Sequence, residues 1–132
     1  MTHQPPTPQT VVDMVQEAHL RLAVLLDLID DEMAVGLSVT PRLAQLRMEY
    51  DRHALGQEQV LSLHLPDVLH QHRRGHDRMR ALLARMSTEY ASGGDIRPVR
   101  DQVLALFTDR LMPDDLVFKG MMSAAPPPSA RR

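Results

Sequence analysis

Seven histidines are distributed along this chain, and four of them fall within the single stretch His64-Leu-Pro-Asp-Val-Leu-His70-Gln-His72-Arg-Arg-Gly-His76. Imidazole can carry a proton near neutral pH or offer a neutral nitrogen to a transition metal. Such a cluster is therefore solvated surface, a hydrogen-bonded core or a set of ligands. His72 and His76 stand four residues apart, which stacks them on one face of a helix, while His70 points away from that face and is expected in solvent. The same spacing recurs at His53 and Gln57. His19 lies upstream, and Arg110 with Asp114 and Asp115 lies downstream. The chain has no cysteine, so any metal must be held by nitrogen and oxygen, a donor set suited to iron, zinc or manganese.

The segments that position these residues are set off by breakers. Pro5, Pro6 and Pro8 precede the first, Gly36 to Pro41 separate it from the second, and Pro66 separates second from third. Ser92-Gly-Gly-Asp precedes the fourth, which Pro113 is expected to break. Within each segment apolar residues recur at spacings of three and four, the helical period. The stripes run Val12, Val15, His19, Leu22, Leu26, Ile29, Met33, then Leu43, Leu46, Tyr50, His53, Gln57, Val60, His64. The third runs Leu69, His72, His76, Met79, Leu83, Met86, Tyr90, and the fourth Val99, Val103, Leu106, Arg110. Thr40 can cap the second helix, with Pro41 suited to its first turn. Four amphipathic helices with short connections bury their stripes as an all-α, antiparallel up-down-up-down four-helix bundle. His64, at the end of the second stripe, fits either core or surface.

A length of 132 residues suits one domain. Residues 1–9 are expected to be a disordered N-terminus, 10–120 the bundle, and 121–132 a flexible Pro-rich tail. Aromatic residues are only 3%, so Leu, Val, Ala and nine Met must fill the core, as packed helices allow. The start, MTHQPPTPQ, has no basic flank or apolar run, and no later stretch approaches bilayer length, so a soluble cytoplasmic protein without a membrane partner is expected. A net charge of -2 with arginines scattered among acids gives no footprint for nucleic acid. Oligomeric state is not legible.

The stripes direct His19, His53, Gln57, His72, His76 and Arg110 into one interior, with Asp114 or Asp115 following. Each buried polar group without a partner costs about 1–3 kcal/mol. These groups must therefore satisfy one another or something they bind. Metal coordination is the simpler account, with His19, His53, His72 and His76 and one of Asp114 and Asp115 as candidate ligands, Asp115 being the one the resemblance below favours; a metal-free polar network is the alternative.

The pattern resembles the hemerythrins, in particular single-domain bacterial hemerythrin-like proteins, over about residues 12 to 120. The resemblance rests on Gln16-Glu-Ala-His19-Leu-Arg-Leu, His53-x3-Gln57-Glu58, His72-x3-His76 after Pro66-Asp67, and Arg110-x4-Asp115 before Phe118-Lys119. It implies a four-helix bundle whose helix-one His, His-x3-Glu, His-x3-His and His-x4-Asp hold two irons, with Glu and Asp bridging them, and which binds dioxygen reversibly. This chain departs from that pattern at two positions, with Gln57 in place of the bridging glutamate and Arg110 in place of the last histidine. Glu58 stands one residue further on, about 100° off the seam. An amide supplies no negative charge, and a guanidinium cannot coordinate. Gln57 and Arg110 are then expected to line the pocket as hydrogen-bond donors. Arg110 would fill one metal position and pair with Asp115, leaving a mononuclear site, or the bundle would hold no metal.

The function expected from this resemblance is a non-haem iron protein that meets dioxygen or nitric oxide as carrier, scavenger or sensor. The rival is a metal-free bundle acting as an interaction module. No catalytic acid or base stands outside the site itself, so a redox enzyme ranks last.

Overall fold

The computed structural model describes residues 8–124, and the side chains of residues 13–121. The expected disordered N-terminus and Pro-rich tail fall largely outside that range, as does the side chain of Val12. Helix α1 spans Pro8–Ala34, α2 Thr40–His64 and α3 Pro66–Ala91. The fourth rod is composite: α4, Arg97–Leu106, runs through a π turn, Phe107–Leu111, into α5, Met112–Ala124. The described residues contain no strand, and each rod packs against the next, with α5 returning to α1, as an up-down-up-down bundle requires. No helix among them is long and apolar enough to cross a membrane.

Connections are short because the helix ends are closed locally. Gly36 and Gly93 take left-handed φ values of 79° and 80°, a conformation a side chain would resist. After α1, Gly36 N–H bonds Met33 O and Leu37 N–H bonds Glu32 O; after α3, Gly93 and Gly94 do the same with Tyr90 O and Glu89 O. The second helix takes up at Thr40 itself, with Val39 before it in place of the expected Thr40 cap. The Val39 N–H is satisfied by the Tyr90 hydroxyl at 3.2 Å, tying the start of α2 to the end of α3.

Two apolar clusters flank the bundle's polar layer. The larger includes Leu22, Leu26, Ile29, Leu46, Met79, Met86 and Val103; the smaller consists of Val15, Val60, Leu61 and Phe118. Between them the buried polar residues Gln57, His76 and Asp115 meet.

The fourth rod departs from the expected stripe. Pro113 does not break it. In the π turn Met112 N–H bonds Phe107 O, five residues back, so the rod takes in one extra residue and the wider turn gives the proline ring room. Every side chain beyond the turn is rotated by about one residue, or about 100°. Leu111, not Arg110, therefore takes the inward position, packing where Gly75 of α3 leaves space: a Cβ on Gly75 would lie 3.2 Å from Leu111 Cδ2. The same shift carries Asp115 and Phe118 into the core and leaves Asp114 half-buried.

Candidate metal centre

Arg110 does not line the interior. It is exposed and borders an open groove between α3 and α4 with Arg78, Arg85 and Asp109. The expectation that it fills a metal position and pairs with Asp115 is overturned by the one-residue register shift of the π turn.

The other expected residues converge. From α1, His19 Nε2 lies 2.6 Å from Asp115 Oδ2 of α5; from α2, His53 Nε2 lies 3.9 Å from that same oxygen. One donor atom from each of His19, His53 and Asp115 falls within 4.8 Å of the other two. The His19 and His53 rings meet edge-on with centroids 6.0 Å apart, and Phe107 closes the outer side of His19 at 5.3 Å. The other Asp115 oxygen accepts a hydrogen bond from Gln57 Nε2 at 2.7 Å. Gln57, fully buried, turns its own carbonyl to His76, whose Nε2–H donates to it at 2.7 Å. A relay thus joins His76, Gln57, Asp115 and His19 across four helices.

The side of the layer toward α3 is built differently. His72 Nδ1–H donates to Val68 O at 3.3 Å, leaving Nε2 buried without a partner. Metal-binding histidines adopt this arrangement, one ring nitrogen held by a carbonyl and the other free. His76 Nδ1 lies 3.2 Å from Glu58 Oε2. That carboxylate, buried between α2 and α3, accepts 3.0 Å hydrogen bonds from Arg73 and Arg80. Glu58 was not expected in this assembly, since it stands off the α2 seam. The face of α2 packed on α3 is wide enough to cover it, and the signal for it was the pair Arg73 and Arg80 on α3, seven residues or about two turns apart. His70 is exposed, as expected, and His64 is buried with Nδ1 unpartnered.

Burial sets the charge states. It pushes the His53 imidazole down to about 4, against the attraction of Asp115, so that the ring is neutral at physiological pH. It also lowers His76, although Glu58 and Asp115 pull the other way. Burial alone would raise the Asp115 carboxyl, but the His19 hydrogen bond, the nearby His53 and the Gln57 amide outweigh it and hold the group below the usual range. Glu58 likewise ends below its ordinary value, its burial outweighed by the Arg73 and Arg80 hydrogen bonds. Burial, with Asp115 nearby, drives the Tyr50 phenol strongly upward, keeping it a donor.

No protein-family model matches the chain, and neither the curated proteins nor the solved structures contain a match to it.

Two imidazoles and a carboxylate with positions left open form a donor set associated with non-haem iron(II). Metal–ligand bonds of about 2.0–2.2 Å require only a small closing movement of donors already within 4.8 Å. A single divalent ion fits His19, His53 and Asp115. The second position expected from the hemerythrin resemblance is a poorer fit, because the Gln57 amide lies between Asp115 and His76 and takes up the His76 nitrogen that would coordinate.

Proposed function

We propose that this chain is a divergent hemerythrin-like bundle that holds one divalent transition metal, iron being the best chemical match, on His19, His53 and Asp115, and meets dioxygen or nitric oxide there. The observation that carries the reading is the largely buried two-histidine, one-carboxylate constellation drawn from three separate helices, with His19 at its partly exposed edge. Bound metal would supply a redox-active Lewis acid with open positions for a small ligand.

The chain's own residues prepare that place. Burial keeps His53 neutral, as a ligand must be. Gln57 orients Asp115 by bonding one oxygen, leaving the other directed at the two imidazoles. Protons compete with a metal for the imidazole nitrogens and the carboxylate, so affinity should fall as pH falls. Phe107 and Phe118 on the fourth rod limit water beside the ring nitrogens of His19 and His72.

A second reading, a metal-free interaction module, is favoured by a different observation: His76, Gln57, Asp115 and His19 already satisfy one another through short hydrogen bonds. Thermal unfolding separates the two. A ligand that binds only the folded state raises its stability, so ferrous iron added anaerobically should raise Tm, and a chelator should reverse the rise. An unchanged Tm, with no metal retained after desalting, would favour the module.

A further inference from the structure

The register shift that turns Arg110 out of the core delivers it to a groove between α3 and α4. Arg78 and Arg85 stand on the α3 wall of that groove, and Arg110 and Asp109 on the fourth rod. Seven residues separate Arg78 from Arg85, which puts them on one helix face about 10.5 Å apart. Apart from Gln102, the remaining lining is apolar: Ala81 and Leu82 from α3, Ala105 and Leu106 from α4. The alanines keep the floor shallow enough for another helix to approach closely. None of the three arginines has a hydrogen bond or ion pair among the described residues, and Asp109 is the one carboxylate beside them. The groove is thus an apolar floor with a positive rim.

Charge and shape restrict its occupant to a helix with apolar and acidic residues on one face. The chain's own ends do not qualify, because residues 1–7 and 125–132 contain no acidic side chain and the latter end in two arginines. Helix α1 does carry such a face. Glu17, Leu20, Val24, Asp27 and Asp31 follow at spacings of three, four, three and four, which aligns them along one side of the helix, away from the stripe that buries Leu22, Leu26 and Ile29. All five are exposed, Leu20 at 71% and Val24 at 56%. Exposed apolar residues scattered singly need no explanation, but these two are adjacent on the helix surface and flanked by acids. Asp27 and Asp31 make no ion pair among the described residues. Along the stripe the order is acid, apolar, acid; along the α3 wall it is arginine, apolar, arginine.

We propose that the α3–α4 groove receives the outward face of α1 from a second copy of this chain, with Leu20 and Val24 seated on the apolar floor and the flanking acids paired with the arginines of the rim. The contact is independent of the metal reading. Its two patches differ, so copies join head to tail or, where geometry lets two copies exchange the contact reciprocally, as a dimer. One helix face in one groove is a small interface, so association depends on concentration. The rim charges make it sensitive to salt.

Sedimentation velocity on the full chain over a range of concentrations reads the proposal. Wild type at low salt should sediment faster as concentration rises, and added salt should reverse the shift. Arg78→Glu with Arg85→Glu, and separately Asp27→Arg with Asp31→Arg, should each stay monomeric, because like charges then meet across the contact. All four positions are exposed, so helicity and Tm should match wild type. The milder pair Arg78→Gln with Arg85→Gln should weaken association in the same direction. An equimolar mixture of the two charge-reversed chains should associate again, since each then offers the other an opposite charge. A wild-type chain that is monomeric at every concentration would overturn the proposal and leave the groove to an acidic helix of another protein. Association that survives either reversal, or that does not return in the mixture, would overturn it as well.

Discussion

His19 and His53 on one side of the polar layer, and His72 and His76 on the other, come from similar helical seams and sit at similar depth, yet they face different neighbours. The first pair converges on a carboxylate oxygen of Asp115. In the second pair, His76 is engaged by the Gln57 amide and flanked by Glu58, and His72 keeps a free nitrogen with no carboxylate beside it. The difference comes down to one side chain. An amide of the same length as glutamate donates to Asp115 and accepts from His76, closing a neutral bridge where a carboxylate would supply charge for a second cation. On the proposed reading, coordination capacity is set by the charge between the imidazoles more than by their number.

The comparison breaks most completely at Asp115. Asp115→Ala leaves Gln57 and His19 buried without their acceptor, and should cost about 2–4 kcal/mol of stability and abolish metal retention; denaturant unfolding and elemental analysis read the two effects. Gln57→Glu should remove the asymmetry. It sets a second carboxylate beside Asp115, which destabilises the metal-free protein through like charge, and metal content should rise toward two ions per chain. A Gln57→Glu chain that still holds one ion would show that the amide is not what limits the second position.

Single alanine substitutions sharpen the same contrast. Loss of His19 or His53 should weaken metal binding by about 10- to 100-fold or more, whereas loss of His72 should leave it nearly unchanged, as titration with ferrous or cobaltous ion would reveal. Acid should act through the buried imidazoles. The His53 value is depressed below that of the unfolded chain, so between about pH 6.5 and pH 4 the unfolded state binds more protons and stability falls as pH falls. His76, also depressed, adds in the same direction. A metal-free Tm that is flat across that window would contradict the buried, neutral assignment. The smallest effect belongs to Arg110→Ala, expected within about 0.5 kcal/mol of wild type with metal content unchanged.

Much of this arrangement was legible in the sequence because it follows from periodicity and punctuation. The four rods, the glycine closures and the inward histidines are all consequences of where apolar residues and breakers stand. Arg110 was misplaced because the stripe was extended at a constant α-helical pitch. The sign of the π turn was present: Val99, Val103, Phe107, Leu111 and Asp115 follow at four successive spacings of four, where an α-helix alternates three and four. Each spacing of four overshoots a full turn by about 40°, so that run stays on one face only if the rod takes in an extra residue. Glu58 could not be placed by period alone. Its place depends on how wide the α2–α3 contact is.

Metal content per chain after anaerobic ferrous loading and desalting tests the central claim most directly. One ion per wild-type chain, lost in His19→Ala and Asp115→Ala but kept in His72→Ala, is the expected result. Two ions per chain, or one that depends on His72 and His76 instead, would contradict the asymmetry, and none would leave the relay as a metal-free core.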